Sequence, residues 1–550
     1  MKRTIVRILA CMLALLMIVT AALAEVTDPN ANEPGVYPVC KEPITLTVGV
    51  KQSSNVADYE TNGYTLLCEK DGGVNLEIIL FPETDDAEQK LKLMMNSGTK
   101  LPDILTFGVN DDNMRYQYGQ AGSLIALDEY FDRENGLAQE YYKRCEEVGF
   151  DADEMLSLIT SPDGHIYGVP TFQPGLSNRY SNRAYINQKW LDNLGLEAPT
   201  TIDELTEILI AFRDNDPNGN GIKDEIPMSG GNYTLTNNAN VINWLQNLFI
   251  YNDCTAYRFL PVDENGVLDV SYDKEEYREF LKYINMLINE DLLDEACFTQ
   301  SQNELRVALK AETETVGMMC GSASGFGNNI TSWQPIEQPE GFYGNRTVTT
   351  IFSDFQVAQA ITCDCEHPEI AFLFLMMGYS SDLYAKATRY GVLGVDWDYP
   401  TDDMISVYNE IGLPAGVAEI NNVWGVPQNS NWQGSSVLPC ANEGPAERFD
   451  GNEAYNERYH ARSVMMNMKY APDYSDIVKK LVYTPEEADE WASLRTSLQT
   501  YILESTSKFA MGILDPNSDE DWNNYLSELN TLRYKDMLEL DNEVFARMKG

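Results

Sequence analysis

Between Ile44 and Phe107 the chain alternates short apolar runs with amphipathic stretches, and this alternation restricts the fold more than any other feature. Ile44-Thr-Leu-Thr-Val-Gly-Val50 alternates apolar with polar and then runs apolar, as a strand does. A helical stretch follows over about Tyr59 to Lys70. Val74-Asn-Leu-Glu-Ile-Ile-Leu80 reads as a second strand and Ala87 to Ser97 as a helix stopped by Gly98. Leu101-Pro-Asp-Ile-Leu-Thr-Phe107 reads as a third strand. Strand, helix, strand, helix, strand implies an α/β fold with a parallel sheet covered by helices. Ligands on such sheets sit beyond the carboxyl ends of the strands. That brings Gly108 to Gly122, with Asn110, Asp111, Tyr116 and Tyr118, to the mouth of a candidate site.

Further along, helices are predicted over Gln188–Leu194, Thr201–Arg213, 239–251, 274–290 and 302–311. The second opens on Thr201-x-x-Glu204, a capping-box pattern. Short strands are predicted at Thr315–Met319 and Phe355–Ile361, and Pro368 opens a helix running to Met377. Residues 390–451 are rich in Gly, Pro, Asn and Trp and read as loop. The C-terminal segment returns to helical spacing, with Trp522, Tyr525, Leu526 and Leu529 on one face. Residues 25–40 lack periodicity and read as a flexible leader after an export signal.

That signal occupies residues 1–24. Lys2, Arg3 and Arg7 precede an apolar run from Ile8 to about Val19, and Ala22-Leu-Ala24 supplies a small-x-small cleavage pattern. A membrane anchor would need roughly 20 apolar residues, whereas polar residues resume at Glu25. No lipid-attachment cysteine stands at the end of the run. The expected location is extracellular or periplasmic. Thirty-nine Lys+Arg face 85 Asp+Glu, a net charge of −46, which argues against nucleic acid and anionic membranes as partners. Three histidines leave little material for a multi-histidine metal centre. The cysteines outside the signal are odd in number and contain no CxxC, so they read as buried thiols.

Residues 214–225 carry the strongest chemical motif: Asp-Asn-Asp-Pro-Asn-Gly-Asn-Gly-Ile-Lys-Asp-Glu. Oxygen side chains at alternate positions around a glycine fit a calcium loop, since calcium takes six to eight oxygens. One register starts at Asp214, with Asp216, Asn218 and Glu225. The favoured register uses Asp216, Asn218, Asn220, the backbone carbonyl of Ile222, Asp224 and Glu225. Six protein oxygens make the ion a structural staple.

This loop, preceded by Trp190-Leu-Asp-Asn-Leu-Gly-Leu and Pro199-Thr-Thr-Ile-Asp-Glu204, resembles the family 1 extracellular solute-binding proteins of ABC importers, in particular their large carbohydrate-binding branch. Gly122-Ser-Leu-Ile-Ala-Leu-Asp-Glu-Tyr130, Asp163-Gly-His-Ile-Tyr-Gly-Val-Pro170 and Tyr390-Gly-Val-Leu-Gly-Val-Asp-Trp397 add to the resemblance. It implies a periplasmic-binding-protein-like fold of two lobes, each a sheet flanked by helices, with a cleft between lobes. It also implies a monomer that captures an oligosaccharide and delivers it to the transmembrane subunits of an ABC permease. The expected lobes are 41–168 with 318–357, and 169–317 with 358–550. Hinges are expected near Tyr167–Thr171, Val316–Gly321 and Phe355–Ala360.

Sugars stack on Trp and Tyr while Asp, Asn and Arg catch hydroxyls. Trp397, Trp424 and Trp432 lie in one Gly/Asn-rich stretch and Trp333 in another loop, so these are candidate sugar platforms. Trp244, Tyr64, Tyr116, Asn110, Asp111 and Arg183 are further candidates. Trp190, Trp491 and Trp522 stand at helical spacing and read as core. The alternative is a secreted glycoside hydrolase, which needs a carboxylate pair at a set separation. No nucleophile motif such as Gly-x-Ser-x-Gly supports an enzyme.

Overall fold

The computed structural model describes residues 26–549 apart from 85, 173–178, 238, 322, 352–354, 403–404, 406–414, 422, 424–425, 440–446 and 450–455. The export signal and Trp424 lie outside the described residues, and nothing is described of the Trp491 side chain. The chain divides into two units. The first comprises the chain up to Phe172 together with Gln356–Asp396 and Asn422–Asn442. The second comprises Gln173–Phe355, Trp397–Asn421 and Glu443 onward.

The first unit opens with β1 (Thr45–Lys51), α1 (Gly63–Gly72), β2 (Asn75–Phe81), α2 (Asp86–Ser97) and β3 (Ile104–Leu105). β1 runs parallel to β2 from Thr45↔Asn75 to Lys51↔Phe81 and parallel to β3 at Val48↔Ile104. The third strand is far shorter than its apolar run suggests. Pro102 has no amide to donate, and the Leu101 amide turns instead to the Asp364 carboxylate at 2.7 Å. Next come α3 (Asp112–Gln120), α4 (Gln139–Val148), α5 (Ala152–Ile159) and β4 (Val169–Phe172).

The second unit begins with β5 (Ala184–Asn187), α6 (Gln188–Leu194), α7 (Ile202–Asp214), α8 (Val241–Gln246), α9 (Glu275–Asn289) and α10 (Gln302–Leu309). β6 (Met318–Cys320) and β7 (Trp333–Pro335) pair antiparallel on either side of β5. This pairing places 318–355 in the second unit, not in the first as the sequence suggests, and leaves Val316–Gly321 inside that unit rather than at a crossing. Thr201 caps α7 by accepting the Glu204 amide at 3.2 Å. The Glu204 carboxylate reaches one residue further back than a capping box requires, to the Thr200 amide at 2.8 Å.

The chain returns to the first unit in β8 (Phe355–Ile361), antiparallel to β3 at Ile104↔Ile361, and the five-stranded order is β2-β1-β3-β8-β4. α11 (Pro368–Ser380) and α12 (Asp382–Tyr390) follow. Ile370 to Tyr379 are buried without interruption, as expected of a helix covered on all sides. Residues 358–396 therefore belong with the first unit, against the expected boundaries. β9 (Trp397–Asp398), β10 (Ala415–Glu419) and β11 (Glu447–Phe449) form a small sheet in the second unit, ordered β11-β10-β9. The chain ends in α13 (Asn456–Asn467), α14 (Pro485–Ala510), α15 (Asp519–Thr531) and α16 (Tyr534–Lys549). The predicted face of α15 is the buried one: Trp522, Tyr525 and Leu529 join the core built on α7, α8 and α9, with Leu526 packed against it. No helix among the described residues is long and apolar enough to cross a membrane.

Residues 26–41 are not a loose leader. Ala31 bridges Cys40, the Val39 amide donates to the Gly72 carbonyl at 2.9 Å, and Pro38 lies against Gly73. That glycine has φ +72°, and a Cβ there would meet Pro38 at 2.3 Å. The Thr27 and Asp28 amides donate to Glu369 at 2.9 and 2.8 Å, and Asp28 lies 2.7 Å from His367 Nδ1.

Burial raises the Asp28 carboxyl pKa, but the His367 hydrogen bond and the Asn30 amide outweigh it and hold the pKa below its ordinary value. A depressed folded-state pKa stabilises above the unfolded value and is lost as pH falls through the folded one. Glu369→Ala should speed amide exchange over residues 27–31 while β1 stays protected. In the unmutated protein the same segment should loosen only on acidification below about pH 4. Hydrogen–deuterium exchange read by mass spectrometry checks both.

Candidate functional site

The parallel strands β1, β2 and β3 deliver their carboxyl ends to one edge of the first sheet. At the end of β1, Lys51 pairs with Glu88 at 3.0 Å. Phe81 and Phe107 pack with ring centroids 4.8 Å apart. Beyond β3 the chain stays buried through Val109, then exposes Asn110 and Asp111 at the start of α3. Asp111 is the N-cap of α3, accepting the Met114 amide at 2.8 Å. Arg115 turns inward, donating to the Val109 carbonyl at 2.9 Å and pairing with Asp112 at 2.5 Å. Tyr116 is half-buried.

Tyr118 is buried and its hydroxyl has no hydrogen-bonding partner. Burial, with the charges of Asp111 and Glu88 behind it, pushes this phenol up to about 12. It is therefore a protonated donor at neutral pH, suited to binding rather than to proton transfer.

Because β8 runs antiparallel to β3, its first half also lies beyond the end of β3. Gln359 sits there, buried, with its amide nitrogen on the Ser436 carbonyl at 3.0 Å and its Oε1 unpartnered. Sequence reading missed this residue. The available signal was a pair of glutamines, Gln356 and Gln359, interrupting an apolar strand. Two shielded polar atoms lacking partners suit a solute rich in hydroxyls.

Among the described residues the candidate tryptophans are buried, not open. Trp432 lies edge-on to Tyr59 and Tyr64, each at 5.7 Å, with its indole N–H on Thr65 Oγ1 at 2.8 Å. Tyr64 is equally enclosed, its hydroxyl 2.7 Å from Ser436 Oγ and accepting the Leu438 amide. These two hold residues 426–439 against α1 and act as packing groups. Trp244 lies in the core of the second unit. Trp333 stacks on Phe326 at 4.5 Å. Trp397 has no exposed surface and meets Tyr399 edge-on at 5.4 Å. Arg183, next to β5, is also buried. The half-exposed aromatic beside Trp397 is Tyr399, which sequence reading did not select.

In the second unit α7 runs into the loop at 214–225. Gly219 and Gly221, at φ +73° and +76°, make its two turns. The Asn220 and Gly221 amides donate to Asp216 at 3.1 and 2.9 Å. The side-chain amides of Asn218 and Asn220 donate to Asp224 at 3.0 and 3.1 Å. The Ile222 carbonyl accepts the Asp224 amide. Among the described residues no three His, Cys, Asp or Glu side chains converge as a metal group. Yet both Glu225 carboxylate oxygens are shielded and have no partner. Burial, then the charges of Asp224 and Asp216, push its carboxyl above the ordinary range. Shielded carboxylate oxygens lacking a donor are what a hard cation satisfies, so the residues fit calcium.

Residues 57–286 match the family model described as bacterial extracellular solute-binding protein. Over 508 residues the chain is 25% identical to the fructooligosaccharide ABC transporter substrate-binding protein FusA of Streptococcus pneumoniae serotype 4, covering 88% of this chain and 86% of that one. The solved structure of S. pneumoniae FusA in complex with kestose superposes with a TM-score of 0.71 at 22% identity, over 92% of this chain and 99% of that one. An EF-hand mutant of FusA in complex with fructo-nystose superposes with a TM-score of 0.70 at 21% identity, with the same coverage. These likenesses establish the α/β fold in two lobes.

The geometry of Asp111 separates a structural from a binding role. Asp111→Ala should cost about 1 kcal/mol through the lost cap, whereas Asp111→Asn keeps it and should stay within a few tenths. Urea titration followed by circular dichroism measures both.

Proposed function

We propose that the chain, whose residues 57–286 match the bacterial extracellular solute-binding proteins, is the extracytoplasmic binding component of an ABC importer, capturing an oligosaccharide and handing it unaltered to the permease. The alignment with FusA carries this reading, because it spans 88% of this chain and 86% of its relative. A match confined to one motif would support only a shared module. The unpartnered Tyr118 hydroxyl and Gln359 carbonyl are the proposed solute contacts in the first unit. Isothermal titration calorimetry across a panel of fructans, plant-wall fragments and host glycans tests the proposal. One oligosaccharide series should bind saturably and emerge intact, and Tyr118→Phe should weaken it about tenfold. Turnover of a glycan, or no binding across the panel, overturns it.

Calcium is proposed as a staple held by Asp216, Asn218, Asn220, the Ile222 carbonyl, Asp224 and Glu225. Bound there, the ion supplies positive charge to three carboxylates and pins the loop after α7. Without the ion, Glu225 is a carboxyl with a raised folded-state pKa. The metal-free protein should therefore lose stability as pH rises through the unfolded value, about 4.3, toward neutrality. Adding calcium at pH 7 should raise the melting temperature and chelator should lower it. Glu225→Gln should abolish that response without lowering the metal-free melting temperature. Differential scanning calorimetry reads each arm, and an unchanged calcium response in the variant removes Glu225 from the set.

A further inference from the structure

The first unit contains a cavity of about 410 Å³ that neither the sheet edge nor the calcium loop uses. Its walls are Gly35 and Tyr37 from the N-terminal segment, Glu140 and Lys143 from α4, Tyr379 at the end of α11 and Tyr384 in α12. The volume lies in the range of small-molecule sites. Two polar atoms in these walls, Tyr37 Oη and Glu140 Oε2, are shielded and make no well-formed hydrogen bond, the Ser380 hydroxyl beside Tyr37 being given to the Met377 carbonyl at 2.9 Å.

Three further polar groups are already engaged. Lys143, well exposed, stands 3.8 Å from Glu147. The Tyr384 hydroxyl donates to Asp71 at 3.0 Å, and that of Tyr379 to the Pro170 carbonyl. Gly35 makes room for the carboxylate, since a Cβ there would come within 2.5 Å of Glu140 Oε1. The Tyr37 and Tyr384 rings stand 6.4 Å apart, tilted by 52°. Burial raises the Glu140 pKa, with its own backbone amide and Lys143 opposing less strongly. The folded protein thus keeps a carboxyl in surroundings that disfavour its charge, among aromatic rings that favour a cation.

We infer that this cavity binds a primary alkylammonium group, whose N–H bonds go to Glu140 Oε2 and Tyr37 Oη while the tyrosine rings flank its methylene chain. A quaternary ammonium has no N–H and would leave both atoms unsatisfied. A calcium ion needs six or more oxygens, which these walls do not offer. The class of ligand is therefore an amine such as those carried by polyamines, amino sugars or lysine side chains.

Calorimetry on the purified protein with n-butylammonium chloride, against tetramethylammonium chloride at equal ionic strength, tests the site. Butylammonium should bind saturably, and tetramethylammonium at least about tenfold more weakly. Glu140→Gln should weaken butylammonium about tenfold or more, as expected for a hydrogen bond to a charged group. It should keep its melting temperature, because the substitution removes a shielded carboxylate that has no partner. Tyr37→Phe removes only a hydroxyl and should weaken binding several-fold, so it decides the matter if the first variant fails to fold. No saturable binding by the unmutated protein means that a bridging water satisfies both atoms, and overturns the inference. Equal binding of the two cations, or unchanged affinity in both variants, does so as well.

Discussion

Strand β1 sets the geometry of the first unit. It lies between β2 and β3, with Val48 and Val50 wholly enclosed. Gly49 stands where a Cβ would meet Pro102, Leu105 and Phe81 at 3.0 to 3.3 Å. Its register against β3 is locked from the side: Asp103 accepts the Thr47 amide and hydroxyl at 2.7 and 2.8 Å, and Thr47 Oγ1 accepts the Asp103 amide at 2.8 Å. A slip of one residue would turn every side chain of β1 to the opposite face and break all three bonds. Holding three parallel strands in one register aligns their carboxyl ends, and this makes a single edge of Lys51, Phe81 and Asn110 to Tyr118. The position of Gln359 follows from the same lock, because β8 reads its register from β3.

The elements of this arrangement were legible from spacing alone, but their partners were not. The helices at 86–97, 188–194 and 275–289 announce themselves through local periodicity and end signals, which act within a few residues. Membership of a unit is decided by pairing between strands far apart in sequence. Met318–Cys320 joins Ala184–Ile186, and Ala360–Ile361 joins Ile104–Leu105. Nothing in the apolar run at 315–320 says which sheet edge it will meet. The N-terminal segment shows the same limit. Its composition reads as loose, yet Glu369, His367 and the Gly72 carbonyl, all distant in sequence, supply partners for its backbone and side chains.

The tryptophans make the point for the binding site. Asn and Gly around Trp432 suggest an exposed ring, because a loop brings few neighbours of its own. The neighbours come from α1 and the residues before it: Tyr59, Tyr64 and Thr65, the last 367 positions away in the chain. An indole buried on its edges with its N–H bonded is an anchor, and it explains why residues 422–442 return to the first unit. Trp190 and Trp522, at helical spacing, were readable as core because amphipathic faces carry their own burial pattern. The polar atoms offered to a solute, Tyr118 Oη and Gln359 Oε1, are marked by lacking partners, a property no sequence pattern encodes.

The loop at 214–225 shows why asparagine stands at two of the proposed calcium positions in a chain of net charge −46. Carboxylates at 218 and 220 would bring five negative groups together, and in the absence of metal the loop's single cation, Lys223, could not neutralise them. An asparagine amide carries both a donor and an acceptor. Asn218 and Asn220 here donate to Asp224, and Asn220 Oδ1 accepts the Ile222 amide at 2.6 Å. Presenting oxygen to a cation requires only that the amides turn. The loop can therefore remain folded without metal, at the cost of leaving Glu225 unpartnered. That single unmet group confines the electrostatic penalty of the metal-free state to one carboxyl, which protonation can relieve.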